Sequence, residues 1–514
     1  MKITPLFISF LLCTLSATAQ IVPIGQPIST ALTDDFNPSV SGNGKILIYE
    51  VVYRNSNKAD VMIANQVSGN WSQPAVIAGV NTQTEQLTNG GYFINHAGNI
   101  ILFHSNRYKG IGGTDIWYTE KNESGVWSAP ANFGKPINGT GNEIDPSLSP
   151  DGKFMYFTVL SDKKTPSGLP CGKIMVAERI SSTTWKTPVP LPAPINGDCE
   201  CGGKLLSDNK TFLFSSMRSG SKGGYDFYKS TLNADGTFST PVNYAFINTA
   251  DDDKYISVAA GGSMLYAAAP GKGKDERDIV RTKIPEDMQP DMVRLYQGKV
   301  TDAGTNKPLS AQITVTNTAT GASMIYRTAA DGSFSVPVPS AEEYDVSVFS
   351  SAPGFDYISF IAPASPVKKY EEKNVAFTLH ALTKGTVIPL TNLTFNDAIQ
   401  TNKTGTLELN RAKLFMRLNP TASFDILAYT NEILTDTIKH FPIDKEMINP
   451  VDSTILYSND HTEEQAKYIY DYLIKAGIPA DKLSYTGAGT EDSDEDGPDA
   501  NDADRKKKYE LIVK

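Results

Sequence analysis

The chain has 514 residues, of which 40% are hydrophobic and 20% charged, with a formal net charge of −10 at pH 7. Single hydrophobic cores stop growing near roughly 250–300 residues, so more than one domain is expected. The negative charge argues against nucleic acid as the main partner. Helical periodicity is missing from roughly the first 380 residues after the N-terminal segment, where Gly and Pro are plentiful, so we predict a mainly β multidomain fold.

The N-terminus predicts export. Lys2 precedes an apolar stretch at residues 6–12 and a small-residue cleavage site at residues 17–19. This pattern is typical of a secretory signal peptide, here residues 1–19. Cys13 invites a lipoprotein interpretation, but a leucine stands before it where a small residue is normally needed. No later segment approaches the roughly 18 apolar residues of a membrane helix, so we expect no transmembrane segment.

Three cysteines remain after cleavage: Cys171, Cys199 and Cys201. An odd number in an oxidising compartment allows one disulfide and leaves one thiol. We expect Cys171 to pair with either Cys199 or Cys201. Zinc is the competing interpretation, and it is disfavoured because no histidine lies near.

Five imperfect repeats of about 55 residues fill the segment 20–290. Each has a turn before an apolar strand, at Ser41–Gly44, Asn95–Gly98, Ser149–Gly152, Ser207–Lys210 and Ala259–Gly262. A second strand opens at Asp60, Asp115, Lys173, Asp226 and Asp278. Repeated short strands of this kind predict a five-bladed β-propeller. The segment Ser149-Pro-Asp-Gly-Lys153 resembles the WD-like repeats of TolB-type periplasmic propellers.

The fifth repeat lacks its outer strand, and the segment 24–29 resembles 133–138 at the end of another repeat. We therefore expect the mature N-terminus to complete the fifth blade. The recurring aspartates occupy one register, which favours hydrogen bonding within turns over a catalytic ring. All five histidines are scattered, with no Ser–His or His–carboxylate grouping, so the sequence predicts that the chain is not an enzyme and has no cofactor.

The segment 295–382 carries alternating strands and Asp-Gly turns, which predict a small antiparallel β-sandwich. Its order of Gly298-x-Val, Pro308-Leu, Asp331-Gly-x-Phe and Tyr344-x-Val resembles the carboxypeptidase regulatory-like domain. In that family the module is a spacer or interaction domain.

The segment 388–514 combines a helix at residues 404–418, a strand at 423–430 and a helix predicted to begin at Thr462 and to end at Gly477. Thr462 and Gln465 have the spacing of a capping box. With Ala428-Tyr-Thr-Asn431 and Gly487-Ala-Gly489, the order resembles the OmpA C-terminal domain, an α/β fold that holds peptidoglycan.

The resemblance places a degenerate peptidoglycan site at Thr430, Asn431 and Gln465. The family clamps a diaminopimelate zwitterion with an Asp and an Arg. Asn431 stands at the Asp position and Gln465 at the Arg position, so both charges are missing. Retained binding and a repurposed module therefore both stay open.

An acidic loop holds Asp492, Asp494 and Asp496 at calcium-loop spacing. The twelfth position is Ala503 rather than Glu, so a solvated loop is the favoured interpretation and calcium the alternative.

The whole arrangement resembles multidomain OmpA-family proteins of the Bacteroidota. It implies a periplasmic tether associated with the outer membrane, which links an outer-membrane protein complex to the cell wall. The alternative is a purely protein-binding subunit of an outer-membrane assembly or type IX secretion machine, whose OmpA-like domain no longer binds peptidoglycan.

Overall fold

The computed structural model describes residues 21–54, 59–77, 79–81, 89–166, 168, 170–181, 183–270, 277–365, 370–396, 398–429, 450–489 and 508–514. The described chain is mainly β, as predicted, with helices confined to short turns and the C-terminal region.

Five antiparallel sheets occupy the first half, and a two-residue strand, β1 (Val22–Pro23), joins the last of them. The first sheet contains β2 (Thr33–Val40), β3 (Ile46–Tyr53), β4 (Ala59–Val67), β5 (Asn70–Trp71) and β6 (Ala75–Val76). The second contains β7 (Asn89–Ile94), β8 (Ile100–Ser105), β9 (Asp115–Glu120) and β10 (Ala131–Asn132). The third contains β11 (Glu143–Leu148), β12 (Phe154–Lys164), β13 (Pro170–Glu178) and β14 (Val189–Pro190). The fourth contains β15 (Glu200–Leu205), β16 (Thr211–Ser216), β17 (Asp226–Thr231) and β18 (Val242–Asn243), and the fifth contains β19 (Ser257–Val258), β20 (Met264–Pro270) and β21 (Arg277–Lys283).

Each sheet packs on the next through a cluster of buried apolar side chains, and the fifth packs on the first. One pair from each junction, taken in order around the ring, is Ile48 with Phe103, Leu102 with Phe157, Tyr156 with Phe212, Leu213 with Val280, and Ile279 with Tyr49. A single sheet of this kind cannot bury both faces, so the closed ring supplies the core.

Strand β1 completes the fifth sheet by pairing antiparallel with β21, Val22 opposite Arg281 and Pro23 opposite Val280. Ile24 extends the contact by donating its N–H to the carbonyl of Ile279 at 2.9 Å. The expectation that the N-terminus supplies the missing outer strand is confirmed.

A 3-10 turn (Glu286–Met288) leads into a two-sheet sandwich. One sheet holds β22 (Val293–Asp302), β25 (Ser333–Pro339) and β28 (Glu371–Leu379); the other holds β23 (Ala311–Asn317), β24 (Ser323–Arg327), β26 (Tyr344–Ser350) and β27 (Tyr357–Ala362). The sandwich is not wholly antiparallel as predicted, because β22 and β28 run parallel.

The C-terminal region is a four-stranded sheet with two helices. It contains β29 (Val387–Pro389), α1 (Lys403–Leu418), β30 (Phe424–Tyr429), α2 (Pro450–Lys475), a 3-10 turn (Ala480–Lys482), β31 (Leu483–Gly489) and β32 (Lys508–Val513). The strand order is β29-β32-β30-β31, with only β30 and β31 parallel in the described sheet. Ala466, Ile469 and Leu473 of α2 are fully buried against this sheet, as their helical spacing predicts.

Candidate functional site

Strand β2 and its counterparts in the second, third and fourth sheets are interrupted at matching positions. The pairing of the first two strands shifts between Phe36 and Ser39, Gly90 and Phe93, Ile144 and Ser147, and Cys201 and Lys204. The residues with positive φ at these bulges, and just before β19, are Asn37 (50°), Gly91 (58°), Asp145 (51°), Gly202 (65°) and Tyr255 (65°). Bulges re-aim side chains and commonly occur next to functional sites. Here they form a ring around the axis of the five sheets.

Side chains from these bulges meet residues of the neighbouring strands in what we call the axial cluster: Asn37, Glu50, His104, Asp145, Lys204 and Tyr255. Asn37 Nδ2 donates to Glu50 Oε2 at 2.6 Å. Asp145 N–H donates to His104 Nδ1 at 3.2 Å, and Oδ1 of Asp145 lies 3.6 Å from the same nitrogen. Lys204 Nζ donates to the carbonyl of Ile256 at 3.0 Å.

Tyr255 ties opposite sides of the ring together. It lies just before β19 of the fifth sheet, yet its hydroxyl is within hydrogen-bonding reach of the Asp145 carboxylate of the third sheet and close enough to Glu50 of the first to be influenced by its charge. The third and fifth sheets are not neighbours, so this contact crosses the axis. Positive φ is an outlier for a residue as large as tyrosine, and its presence indicates a local constraint.

Burial sets the protonation of the cluster. It raises the pKa of Glu50 to about 7, although the Asn37 amide opposes the rise. It lowers the pKa of His104, which the Asp145 charge partly offsets. Because His104 Nδ1 accepts an N–H, the neutral ring carries its proton on Nε2. Burial also lowers the pKa of Lys204 to about 8, against the opposing influence of Asp145. Near neutral pH the cluster therefore holds groups poised to gain or lose protons.

Two acceptors of the axial cluster lack partners. Asn37 Oδ1 and Asp145 Oδ1 are buried and have no hydrogen-bond donor among the described residues. Asn37 is 6% exposed and Asp145 is 5% exposed. Buried polar atoms are normally satisfied, so such atoms call for an explanation.

Glycines make room for these side chains. A Cβ on Gly91 would lie 2.6 Å from His104 Nδ1 and 2.8 Å from Asp145 Oδ1. The ring therefore carries side chains at Asn37, Asp145 and Tyr255 and none at Gly91 or Gly202.

One end of the axis is closed. His96, in a turn of the second sheet, places Nε2 3.1 Å from Ser207 Oγ of the fourth, and its carbonyl accepts the N–H of Gly42 at 3.0 Å. The sandwich stands against the same turns: Lys45 pairs with Glu372 at 2.7 Å, and Asn43 Nδ2 donates to Gln297 Oε1 at 3.1 Å. Glu50, Lys204 and Tyr255 are half-buried.

Two of the recurring aspartates, Asp115 and Asp226, form the turn hydrogen bonds predicted for them. Asp115 accepts the N–H groups of Ile111 and Gly112, and Asp226 accepts those of Lys222 and Gly223. They hold the loops that follow β8 and β16, apart from the axial cluster.

The predicted C-terminal site is described only in part. Gln465 is 1% exposed in α2, with its Nε2 3.0 Å from His461 Nε2 and its Oε1 without a partner among the described residues. Thr430 and Asn431 lie outside the described residues. The capping-box prediction was wrong, since α2 begins at Pro450 and places Thr462 and Gln465 within the helix.

Of the two cysteine pairings left open, the structure contains Cys171–Cys199, with a Cα separation of 5.0 Å. Cys201 keeps a buried thiol, and burial raises its pKa. The three acidic residues Asp492, Asp494 and Asp496 lie outside the described residues. In the described part of the chain, no three His, Cys, Asp or Glu residues are grouped so as to hold a metal ion. No described helix is long and apolar enough to cross a membrane.

No family model matches the sequence, and no curated protein matches it. Solved structures do show similarity. A GH62 α-L-arabinofuranosidase catalytic domain of Coprinopsis cinerea is 12% identical, with 51% of this chain and 94% of that one covered and a TM-score of 0.33. A GH43 endo-arabinanase of Bacillus licheniformis is 11% identical, with 50% and 95% covered and a TM-score of 0.33. The periplasmic domain of Helicobacter pylori MotB is 15% identical, with 26% and 77% covered and a TM-score of 0.19.

These glycoside hydrolases correct the expectation that the chain is not an enzyme. That expectation rested on the lack of a Ser–His or His–carboxylate grouping in the sequence, but the fold brings His104 to Asp145 and His96 to Ser207. Glycoside hydrolysis, moreover, ordinarily uses two carboxylates and needs neither grouping. At identities this low the similarity concerns a propeller-like fold and assigns no activity to this chain.

The axial cluster was not predicted from the sequence. The available signal was the recurrence of Asn37, Gly91, Asp145, Gly202 and Tyr255 just before each small-residue turn.

Proposed function

We propose that this protein is a periplasmic tether, in which the ring of five sheets grips an outer-membrane protein complex and the C-terminal domain rests on the cell wall. In this proposal the five sheets are the blades of a five-bladed β-propeller, and the C-terminal sheet with α1 and α2 is an OmpA-like domain.

The observation that carries the proposal is the firm coupling of the sandwich to the C-terminal domain. Arg411 of α1 forms ion pairs with Asp345 of the sandwich and, at 2.6 Å, with Glu408. Its Nε donates to Ser347 Oγ at 2.8 Å, and all three charged side chains are buried. A tether must transmit load between its ends, and an interface with paired, buried charges resists separation because pulling it apart would leave those charges unpaired.

The same interface is reinforced by aromatic packing. The rings of Tyr357 and Phe415 lie 5.2 Å apart, and the Tyr357 hydroxyl bonds to Glu408 at 3.3 Å. Gly354 N–H donates to Asn419 Oδ1. With the contacts of Lys45 and Asn43 at the other side of the sandwich, the three domains are joined in series.

The second candidate is a protein-binding subunit of an outer-membrane assembly or type IX secretion machine. It is favoured by the loss of charge at Asn431 and Gln465. Neutral amides lose the ionic part of a contact with a zwitterion, and hydrogen bonds to charged partners are roughly twice as strong as neutral ones. The buried environment of Gln465 adds to this case, because the side chain is packed among helix residues.

Pull-down of the full mature protein on purified sacculi tests the tether. We expect retention that persists at high salt and falls in an Asn431→Ala/Gln465→Ala double variant. A Lys467→Ala variant is the control, since this exposed side chain only pairs with Asp471 one turn away. If wild-type protein washes off the sacculi but co-purifies with an outer-membrane complex in mild detergent, the second candidate holds instead.

A further inference from the structure

We propose that the axial cluster binds a small neutral polyhydroxyl compound, whose hydroxyl groups donate to Asn37 Oδ1 and Asp145 Oδ1 and accept from Lys204 Nζ. This site is distinct from the tether function and does not depend on it.

Two buried acceptor atoms of the axial cluster have no hydrogen-bond donor in the described part of the chain and could be satisfied by a guest. Asn37 uses its amide nitrogen on Glu50, which leaves Oδ1 buried without a donor. The Asp145 carboxylate is met by the Tyr255 hydroxyl, yet its Oδ1 has no donor among the described residues. A buried acceptor that forms no hydrogen bond is unfavourable, because it has lost its bonds to water without replacement. A guest that carries O–H groups would satisfy both.

Three residues of the bulges hold a strained backbone conformation. Asn37, Asp145 and Tyr255 hold positive φ at positions where the other two sheets have glycine. Glycine adopts this conformation without a Cβ penalty. The ring thus retains three side chains at positions where glycine would be less strained, and strain of this kind concentrates at functional sites.

Charge selects the class of guest. Asp145 and Glu50 disfavour an anion, while Lys204, close enough for Asp145 to influence its charge, disfavours a second cation. The cluster offers both donors and acceptors: Lys204 can donate, and Asn37 and Asp145 can accept. A hydroxyl group both donates and accepts, so a neutral polyol or sugar matches this set.

Access is compatible with a small molecule. His96 and the sandwich lie at one end of the axis, and Glu50, Lys204 and Tyr255 keep part of their surface accessible. A small guest would therefore reach the cluster past these half-buried side chains.

Titration calorimetry and ligand-observed NMR on the full mature protein test the site, with glycerol, D-ribose and D-glucose as probes. We expect at least one probe to bind, and Asn37→Gly and Asp145→Gly each to weaken that binding about tenfold, as loss of one hydrogen bond to a buried acceptor implies. Gly91 and Gly202 show that the backbone of the bulge accommodates glycine, so both variants should keep the ring folded. Some loss of stability is expected in Asn37→Gly, because the Glu50 carboxyl loses its amide partner.

Asn306→Gly is the matched control. Asn306 also has positive φ (55°) but is exposed in a sandwich turn, so its replacement should leave probe binding unaltered. If Asp145→Gly fails to fold, Asn37→Gly alone decides. The proposal is overturned if none of the three probes binds, if the variants bind as wild type does, or if only cations such as Na⁺ or methylammonium bind in their place.

Discussion

At the scale of single residues, burial of Glu50 in the axial cluster lowers the stability of the ring when this carboxyl is ionised. Its carboxyl accepts a hydrogen bond from the Asn37 amide, and burial raises its pKa from 4.5 to about 7. A carboxyl with a raised pKa binds its proton more tightly in the folded state than in the unfolded chain. The free energy of unfolding therefore falls as pH rises from about 4.5 to about 7, and the penalty is complete above that window.

Replacing Glu50 by Gln should remove this penalty. The amide oxygen of Glu50→Gln can still accept from Asn37 Nδ2, and no charge needs to be buried. We expect the variant to be more stable than wild type by about 2 kcal/mol at pH 8 and nearly equal to it at pH 4. Urea unfolding at the two pH values measures this. An equal difference at both pH values would show that the effect is not ionisation of Glu50.

Gln465 shows where a local sequence pattern failed to predict the structure. Its spacing from Thr462 satisfies a capping box, yet both residues lie inside α2 because the helix continues back to Pro450. A capping box is a local pattern, and it cannot exclude helical residues further upstream. The neutral character of position 465 could be predicted, whereas its burial beside His461 could not.

At the scale of elements, turns and strands were predictable because their causes are local. The repeated small-residue turns mark the hairpins between the first two strands of each sheet, and Gly44, Gly98, Gly152 and Gly262 adopt positive φ there. The parallel pairing of β22 with β28 was not predictable, since strands about 75 residues apart choose partners through tertiary packing.

Strand β1 offers an element-scale prediction. Removing residues 20–30 exposes the edge of β21 and takes away Ile28, which is 2% exposed in the core between the fifth and first sheets. Losing a buried aliphatic side chain alone destabilises by about 2–5 kcal/mol. We expect the melting temperature of the truncated protein to fall by about 10 °C.

Differential scanning calorimetry of the mature chain with and without residues 20–30 checks this expectation. Leu32→Ala serves as the control, because Leu32 is 68% exposed and its loss should shift the melt little. A truncated chain that melts with the mature protein would mean that β1 does not hold the ring closed.

At the scale of the whole molecule, the axial cluster and the domain interfaces could not be predicted from the sequence, because their residues are far apart in the chain. Asn37, His104, Asp145, Lys204 and Tyr255 come from five different sheets and meet only when the ring closes. Asp345 and Arg411 likewise come from two domains. Contacts of such high sequence separation leave no local pattern, although recurrence at one register of a repeat does mark the bulges.

The interface of the sandwich with the C-terminal domain decides whether the molecule can act as a tether. Arg411→Leu would leave Asp345 and Glu408 as buried carboxylates without their cation, and removing one partner of a buried ion pair typically destabilises by about 3–5 kcal/mol. Because the triad joins two domains, we expect the loss of stability to appear as separate melting of the C-terminal domain and as faster proteolysis between residues 380 and 403.

Arg417→Leu is the control, since its exposed guanidinium only donates to the carbonyl of Ala476. This substitution should change the free energy of unfolding by less than about 0.5 kcal/mol. A single cooperative melt for Arg411→Leu, at the wild-type temperature, would show that the triad does not couple the domains and would remove the main support for the tether.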